Sequence, residues 1–304
     1  MGKAWEAEQV VDPDVALILI QKQFPELHPE TIRLFGVGWD NTAYLINDTY
    51  VFRFPRRQIA VPLLEAERIV LPMLDQLPLL IPHPRWAGKP TPDYQWPFLG
   101  YCLLPGKTAC RAALYKSERM ELAVPLAQFL AALHAVPVSS IMQQALGGYT
   151  LEKLNGPKLI AAIVKNLAEL VFVGLIESSQ PYHELLESFE DVRAEQKSKL
   201  VHGDLYARHL LVDEDNRLCG VIDWGDIHIG DPAVDLSVAH SFLPKESHDL
   251  FRKTYGDISE KTWQLARLRA LYSSVLLAVF GYHSGDEVIK HEGLRALHSL
   301  IDWP

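Results

Sequence analysis

The segment VHGDLYARHLLVDEDNRLCGVIDWGD, residues 201–226, contains six carboxylates and two histidines around two short apolar runs. The runs HLLV and RLCGVI flank the polar sequence DEDN, a pattern that predicts a β-hairpin. A hairpin places the start of its first strand beside the end of its second, so His209 and Asp223 should be neighbours. Asp204, on the preceding loop, is expected to approach the same point, whereas the acids of DEDN should lie at the far, solvated turn.

Two carboxylates and a histidine at one point suit metal-assisted phosphoryl transfer. The phosphoryl group passes through a loose transition state with dispersed charge, so the protein must hold metal ions against the phosphates and align the attacking hydroxyl. Asp223 suits the first task because Mg²⁺ prefers hard oxygen ligands. Asp204 suits the second, since an ionised carboxylate orients a hydroxyl and receives its proton. Simpler interpretations exist: a short His-Gly-Asp motif is often a turn or cap, and His209 could be packed at a strand start.

Composition places the chain among globular proteins. Its 304 residues are 48% hydrophobic and 22% charged, enough for one large or two medium folded units. We expect a cytoplasmic protein that does not enter the membrane, because no signal-peptide pattern or long apolar run is visible and the three cysteines are scattered. The net charge of −9 without a basic run excludes nucleic acid as an expected partner and is compatible with a cationic substrate. A monomer is expected.

The first third of the chain favours a small β-rich unit. Residues 12–24 open with Asp-Pro and predict a helix, and residues 31–57 predict three antiparallel strands with a tight turn at Asn-Asp. Residues 62–74 have helical spacing, although Pro72 predicts a kink or early end. Residues 96–106, WPFLGYCLLPG, predict a buried strand that a Pro-Gly turn terminates.

The remainder of the chain favours helices. Helical patterns cover residues 118–136, most of 151–198, 246–255, 259–282 and 286–301. The sequence therefore predicts an α+β fold with two lobes that share a cleft: a small antiparallel-sheet N-lobe for nucleotide binding, residues 1–104, and a larger, mainly helical C-lobe, residues 105–304, with the catalytic loop, metal site and substrate-binding helices.

Several motifs, in order and at matching spacing, resemble the aminoglycoside phosphotransferase family, antibiotic kinases with the fold of eukaryotic protein kinases. They are HGDLYARHLLVD, GVIDWGD and GDPAVDLS. The segments GVGWDNTAYLIND and YVFRFPRR are similar to the branch that phosphorylates the 2″-hydroxyl of aminoglycosides and to macrolide phosphotransferases. LEAERIVLPML and WPFLGYCLLPG match the family's glutamate helix and interlobe hinge. The similarity covers roughly residues 30–245 and is weaker in the C-terminal helices, which determine substrate specificity in the family.

The resemblance implies roles for the residues of the hairpin. Asp204 takes the place of the catalytic aspartate, and Asp223 takes that of the main metal-binding aspartate, the counterpart of the DFG aspartate of protein kinases. His209 falls on the second metal-binding position, which is usually asparagine. Imidazole is a softer ligand than an amide oxygen for Mg²⁺. The 2″-hydroxyl enzymes and macrolide kinases resemble this sequence in having histidine there, so His209 is interpreted as a marker of that branch.

The resemblance also implies nucleotide-binding residues. Arg53 takes the place of the strand lysine that contacts α- and β-phosphates, and an ion pair with Glu67 is expected; otherwise these would be an exposed strand charge and a solvated helix residue. Leu103 and its neighbours are expected to hydrogen-bond a purine through main-chain groups, which leaves ATP versus GTP open. The loop GVGWDN is a weak phosphate-loop motif on its own. His202 is expected to brace the catalytic loop, and Asp235 to tie it down as a buried acceptor.

The function implied is Mg²⁺-dependent transfer of the γ-phosphate of ATP or GTP to a hydroxyl of a small molecule, with an aminoglycoside antibiotic as the first candidate. Alternatives are a macrolide kinase and a housekeeping kinase of a sugar, an amino alcohol or a nucleoside-like metabolite. A kinase-like binding module without activity ranks last because both aspartates are present. A polycationic substrate requires carboxylates around the cleft. The candidates are Asp226, Glu246, Asp249, Asp286 and Glu287. Ordinary helix surfaces carry acids in the same way, so these residues are not assigned to the substrate.

Overall fold

The computed structural model describes residues 7–38, 40–74, 76–147, 153–189 and 198–301. Trp39 of the predicted phosphate loop lies outside the described residues. Parts of the helical prediction over 151–198 lie outside them as well, namely residues 151–152 and 190–197.

The N-terminal lobe is built on a five-stranded antiparallel sheet. Its strands are β1 (Ile32–Val37), β2 (Asn41–Ile46), β3 (Tyr50–Pro55), β4 (Trp86–Gly88) and β5 (Phe98–Cys102), in the order β1-β2-β3-β5-β4. The turn between β2 and β3 has Asn47 and Asp48 both at φ 49°, the left-handed conformation that a tight hairpin turn needs and that these residues tolerate. The predicted three-stranded meander is therefore confirmed.

The two faces of this sheet have different partners because side chains alternate along a strand. Phe52, Phe54 and Phe98 lie on one face, in a core that includes helix α1 (Pro13–Gln23). Val51 and Leu99 lie on the opposite face and pack with Leu64 of helix α2 (Ala60–Val70). Arg53, two residues after Val51, shares that second face. The alternation thus directs the Arg53 side chain toward α2.

Helix boundaries in this lobe follow the local sequence. Asp12 caps α1, since its carboxylate accepts the N–H of Asp14 and Pro13 occupies the first helical position. Helix α2 gives way at Leu71–Met73 to a single 3-10 turn that contains Pro72. Proline has no N–H to continue the helical ladder, so the early end predicted at this residue is confirmed.

The C-terminal lobe is mainly helical. Its helices are α3 (Lys116–Glu121), α4 (Ala123–Ala135), α5 (Ser140–Leu146), α6 (Gly156–Phe172), α7 (Gln180–Glu187), α8 (Ala233–Phe242), α9 (His248–Tyr255), α10 (Glu260–Ser284) and α11 (Glu287–Ile301). Two small sheets hold the short strands β6 (Lys107–Thr108), β7 (Lys199–Val201), β8 (Leu210–Val212), β9 (Leu218–Val221) and β10 (His228–Gly230). Together with the N-terminal sheet, these elements confirm the α+β fold.

Two details differ from the sequence expectations. The single helix predicted over residues 118–136 is divided into α3 and α4 at Leu122. Helix α10 is by length and composition apolar enough to span a membrane, although no such run was expected; 61% of the apolar window is buried inside the fold. Helix α10 packs closely on α11, where a Cβ at Gly293 would overlap the backbone of Ala278. In this structure it is a core helix.

Candidate active site

The segment 201–226 forms the predicted hairpin. Strands β8 and β9 pair antiparallel, with Leu210 opposite Val221. The turn is held locally, since Asp213 Oδ1 accepts the N–H groups of Asp215 and Arg217. Asp213 therefore caps the exposed turn that holds the acids of DEDN, at the opposite end of the hairpin from His209 and Asp223.

Three predicted site residues converge at the near end. His209 Nε2 lies 3.2 Å from Asp223 Oδ2, and His209 Nδ1 lies 3.8 Å from Asp204 Oδ2. The Asp204 side chain is 34% exposed and that of Asp223 50% exposed, whereas His209 is buried. The backbone of Asp223 has a φ of 63°, a left-handed conformation that costs free energy in most residues and that aspartate tolerates. Two accessible carboxylates thus flank one buried imidazole.

Asp235 of α8 anchors the loop that carries Asp204. Its buried carboxylate accepts the N–H groups of His202 and Gly203 at 2.7 and 2.8 Å, and it lies 3.0 Å from His134 Nε2. Burial would raise the pKa of Asp235, but the hydrogen bond and charge of His134 outweigh it, and the pKa is lowered. Gly203 has a φ of 87°, and a Cβ there would overlap the carbonyl of Asp226. The prediction of Asp235 as a buried acceptor is confirmed.

His202 connects the loop of Asp204 to the loop of Asp223. Its Nδ1 accepts the N–H of Asp204 at 3.3 Å, and its Nε2 donates to the carbonyl of Ile222 at 3.0 Å. Burial lowers the pKa of His202, which keeps the ring neutral. The neutral ring has one donor and one acceptor, and this pair of bonds uses both. His202 therefore braces the catalytic loop, as predicted, in the tautomer that carries its proton on Nε2.

The orientation of His209 is set by the backbone. A carbonyl oxygen only accepts hydrogen bonds, so Nδ1 must donate to the carbonyl of Asp204, 2.7 Å away. Nε2 therefore faces Asp223. Burial would lower the pKa of His209, but the Asp223 carboxylate raises it. In the neutral form the lone pair of Nε2 points toward Asp223, as in histidines that bind metals.

Asp223 and His209 suit a small divalent cation that takes most of its ligands from water and phosphate oxygens. Asp223 Oδ2 and His209 Nε2 are 3.2 Å apart, a spacing compatible with neighbouring ligands of one ion. Within the described ranges, no cluster of three or more histidine, cysteine or acidic side chains arranged to hold a metal occurs. Mg²⁺ is commonly held by one or two protein groups together with water and phosphate oxygens. The donor set is consistent with that mode of binding.

Arg53 joins the two lobes through a buried charge network. Its Nη1 lies 3.0 and 2.9 Å from the two carboxylate oxygens of Glu67, and its Nη2 lies 3.2 Å from Asp223 Oδ1. Glu67 is only 1% exposed, so the alternative of a solvated helix residue is wrong and the predicted ion pair is confirmed. Burial raises the pKa of Glu67 to about 7, against the opposing charge of Arg53. The pKa of Asp223, which burial would raise, is held well below its usual range by Arg53 and His209.

The interlobe segment offers main-chain groups, but not the amide of Leu103. That N–H donates to the carbonyl of Thr49 at 2.7 Å, which continues the pairing of β5 with β3. Backbone groups of successive residues in an extended strand point in opposite directions. The carbonyl of Cys102 is therefore directed away from β3, beyond the end of β4. The purine contact expected at Leu103 and its neighbours stays a prediction for main-chain groups other than this amide.

The acidic candidates for binding a polycation are mostly neutralised by nearby cations. Four of the five form ion pairs: Lys153 with Asp226, Lys116 with Glu246, Arg111 with Asp286 and Lys290 with Glu287. These contacts support the simpler interpretation, that they are ordinary helix-surface or loop pairs. The sequence reasoning missed a cation in the site, Arg269 of α10, whose Nη2 lies 3.9 Å from Asp204 Oδ1.

Comparisons with known proteins agree with this geometry. The structure is similar to the GDP and kanamycin complex of APH(2")-IIIa, with a TM-score of 0.70, 26% identity, and coverage of 94% of this chain and 97% of that one. It shares its fold with macrolide 2'-phosphotransferase type I, with a TM-score of 0.61, 24% identity, and coverage of 95% and 98%. The uncharacterised protein YcbJ of Bacillus subtilis (strain 168) is 26% identical, over 93% of this chain and 95% of its own length.

The sheet lobe and the helical lobe together form the protein-kinase-like fold of the phosphotransferases to which the chain is similar. The profile of the phosphotransferase enzyme family matches residues 31–271, most of the chain. The protein belongs to this family, and the resemblance noted in its motifs is confirmed.

Proposed function

We propose that this protein transfers the γ-phosphoryl group of ATP or GTP to a hydroxyl of an antibiotic, with an aminoglycoside as the first candidate acceptor. The observation that carries the proposal is the convergence of Asp204, His209 and Asp223 at the cleft, next to the Arg53–Glu67 pair. Nucleotide complexes among similar structures support the nucleotide co-substrate. Residues 1–104 would bind the nucleotide, and residues 105–304 would supply the catalytic loop and the acceptor site.

The nucleotide would lie between the lobes. The Cys102 carbonyl would accept a hydrogen bond from a purine, and Arg53 would contact phosphate oxygens, with Glu67 holding its guanidinium in position. Asp223 and His209 would hold Mg²⁺, which when bound neutralises charge on the phosphate oxygens. Arg is a suitable phosphate ligand because its planar fork bonds two oxygens at once.

Asp204 would act on the acceptor. Its carboxylate accepts a hydrogen bond from the acceptor hydroxyl and aligns that oxygen with the γ-phosphorus. The acceptor oxygen forms a bond to phosphorus as the bond from phosphorus to the leaving oxygen breaks. The hydroxyl proton passes to Asp204, and the nucleoside diphosphate leaves with the bonding electrons. The rigid anchoring of this loop by Asp235 keeps Asp204 in place during transfer.

The choice of acceptor rests on two sets of observations. The 26% identity with an enzyme solved with kanamycin supports an aminoglycoside. The pairing of four candidate carboxylates with cations favours a second candidate, a macrolide, because a polycation gains little from acids that are already neutralised. A monomeric, cytoplasmic enzyme stays our prediction.

The proposal can be tested with purified protein, Mg²⁺ and either ATP or GTP, assayed against kanamycin and erythromycin by mass spectrometry for a phosphorylated product. Asp204→Asn is the control: we expect its turnover to fall by about 10²- to 10⁴-fold while nucleotide binding persists, since it removes the proton acceptor. The antibiotic assignment would be abandoned if wild-type protein modified neither drug. The kinase assignment would be abandoned if it also phosphorylated nothing in a broad panel of hydroxyl compounds.

A further inference from the structure

A buried arginine outside the predicted site lies against the carboxylate of Asp204. Arg269 is on α10, its side chain is 7% exposed, and its Nη2 is 3.9 Å from Asp204 Oδ1. Its guanidinium lies over the ring of Tyr272, 4.8 Å from the centroid. A buried cation carries a desolvation penalty unless it is paired and bonded. The ion pair with Asp204 and the contact with Tyr272 are the interactions that offset this penalty.

The two oxygens of Asp204 have different neighbours. Oδ1 faces Arg269, whereas Oδ2 faces His209 Nδ1 at 3.8 Å. Neither contact is short enough for a direct hydrogen bond, so both are electrostatic. A third of the Asp204 side chain stays exposed to the cleft. The carboxylate is therefore held between two nitrogen-bearing groups, with the rest of its surface open to solvent.

We propose that Arg269 is a positioning residue for the transfer reaction, which fixes the orientation of the Asp204 carboxylate. This inference rests on the proposed function, because it assigns Asp204 to the acceptor hydroxyl. A guanidinium near one oxygen restricts rotation of the carboxylate, while the stacking on Tyr272 restricts the guanidinium. Arg269 then acts through Asp204 and contributes to kcat more than to nucleotide binding.

The chain offers a matched control on the same helix. Arg267 is also buried, at 8% exposure, but its Nη2 donates to the carbonyl of Leu300 at 2.8 Å, on α11. Loss of either arginine removes a buried cation from α10. Only the loss of Arg269 removes the ion pair with Asp204.

The experiment compares Arg269→Ala with Arg267→Ala in steady-state kinetics, with and without added guanidinium at a concentration that does not unfold the protein. We expect Arg269→Ala to lose about 10- to 100-fold in kcat with the nucleotide KM nearly unchanged, as displacement of a catalytic group by about 1 Å costs up to 10²-fold. Guanidinium should restore part of that kcat, whereas sodium chloride at equal ionic strength should not. Arg267→Ala should keep its kcat and show no rescue.

A thermal double-mutant cycle tests the same contact without any assay of activity. We expect Arg269→Ala to lower Tm less in an Asp204→Asn background than in wild type, because the partner charge is already absent. An unchanged kcat in Arg269→Ala, or equal rescue of both arginine variants, would overturn the proposal, and so would additive Tm losses. If wild type phosphorylates no acceptor at all, the proposed function fails, while the Tm cycle still reports on the pairing.

Discussion

Replacement of Asp235 by asparagine should destabilise the protein more than its single-atom change suggests. The carboxylate accepts from two backbone N–H groups, those of His202 and Gly203, and contacts His134. An asparagine amide has one acceptor oxygen, and its NH₂ group would face donors at the other position. At least one buried N–H is left without an acceptor. We expect a loss of about 2–5 kcal/mol in the free energy of unfolding, since bonds to charged groups contribute about 1.5–3 kcal/mol each.

The assay is urea unfolding of wild type and Asp235→Asn at pH 7, followed by the same pair near pH 3. The lowered pKa of Asp235 means that its ionised form stabilises the fold above the ordinary aspartate pKa, and that this contribution decreases as the pH falls below about 4. The difference between the two proteins should therefore shrink in acid. Asp231→Asn is the control, because Asp231 accepts a backbone N–H, that of Ala233 in the first turn of α8. An asparagine oxygen accepts the same bond, so this change should cost less than about 1 kcal/mol.

The result also bears on catalysis, because Asp235 holds the loop of Asp204. We expect kcat of Asp235→Asn to fall at temperatures well below its Tm. The reasoning is refuted if Asp235→Asn is as stable as Asp231→Asn at pH 7, or if the stability difference from wild type grows rather than shrinks toward pH 3.

Three further predictions follow from the charge network and the buried histidines. Arg53→Ala should raise the nucleotide KM and lower Tm by isolating the buried Glu67, and a second change, Glu67→Gln, should recover part of the Tm; no recovery would contradict the ion-pair account. His209→Asn should retain transfer but change the ratio of its activity with Mg²⁺ to that with Mn²⁺. A ratio equal to that of wild type would favour a packing role for His209. Burial lowers the pKa of His202 and His228, so the unfolded chain binds protons that the fold excludes. The free energy of unfolding should therefore decrease by about 1–3 kcal/mol between pH 7.5 and 5.5, as urea titrations would show.

The features predicted from sequence are those that local chemistry determines. The hairpin of residues 201–226 follows from apolar runs on either side of a polar turn, and its geometry alone brings His209 next to Asp223. The Arg53–Glu67 pair was implied by the family resemblance, and strand alternation, which directs Arg53 toward α2, explains why it forms. For the hairpin, neighbouring residues carry enough information to place the side chains.

The features that sequence reasoning missed depend on contacts between distant segments. Arg269 lies on a helix that is apolar on most sides, so no periodic pattern marks the face that meets Asp204. Leu122 interrupts a helix whose apolar spacing continues through it, and the division is visible only in the folded chain. The N–H of Leu103 donates to the carbonyl of Thr49 because the pairing of β5 with β3 continues one residue past the end of β5. The sequence does not specify how far this pairing extends.

In the proposed function, the position of Arg53 would link metal binding to nucleotide binding. Asp223 has two neighbours of positive or hydrogen-bonding character, Arg53 on one oxygen and His209 on the other. A cation that approaches Asp223 therefore competes with a guanidinium for the same carboxylate. Phosphates that draw Arg53 toward themselves would free that carboxylate and raise its affinity for the cation. Since such coupling is reciprocal, the cation should tighten nucleotide binding by the same factor, and the enzyme would take up metal and nucleotide as one unit.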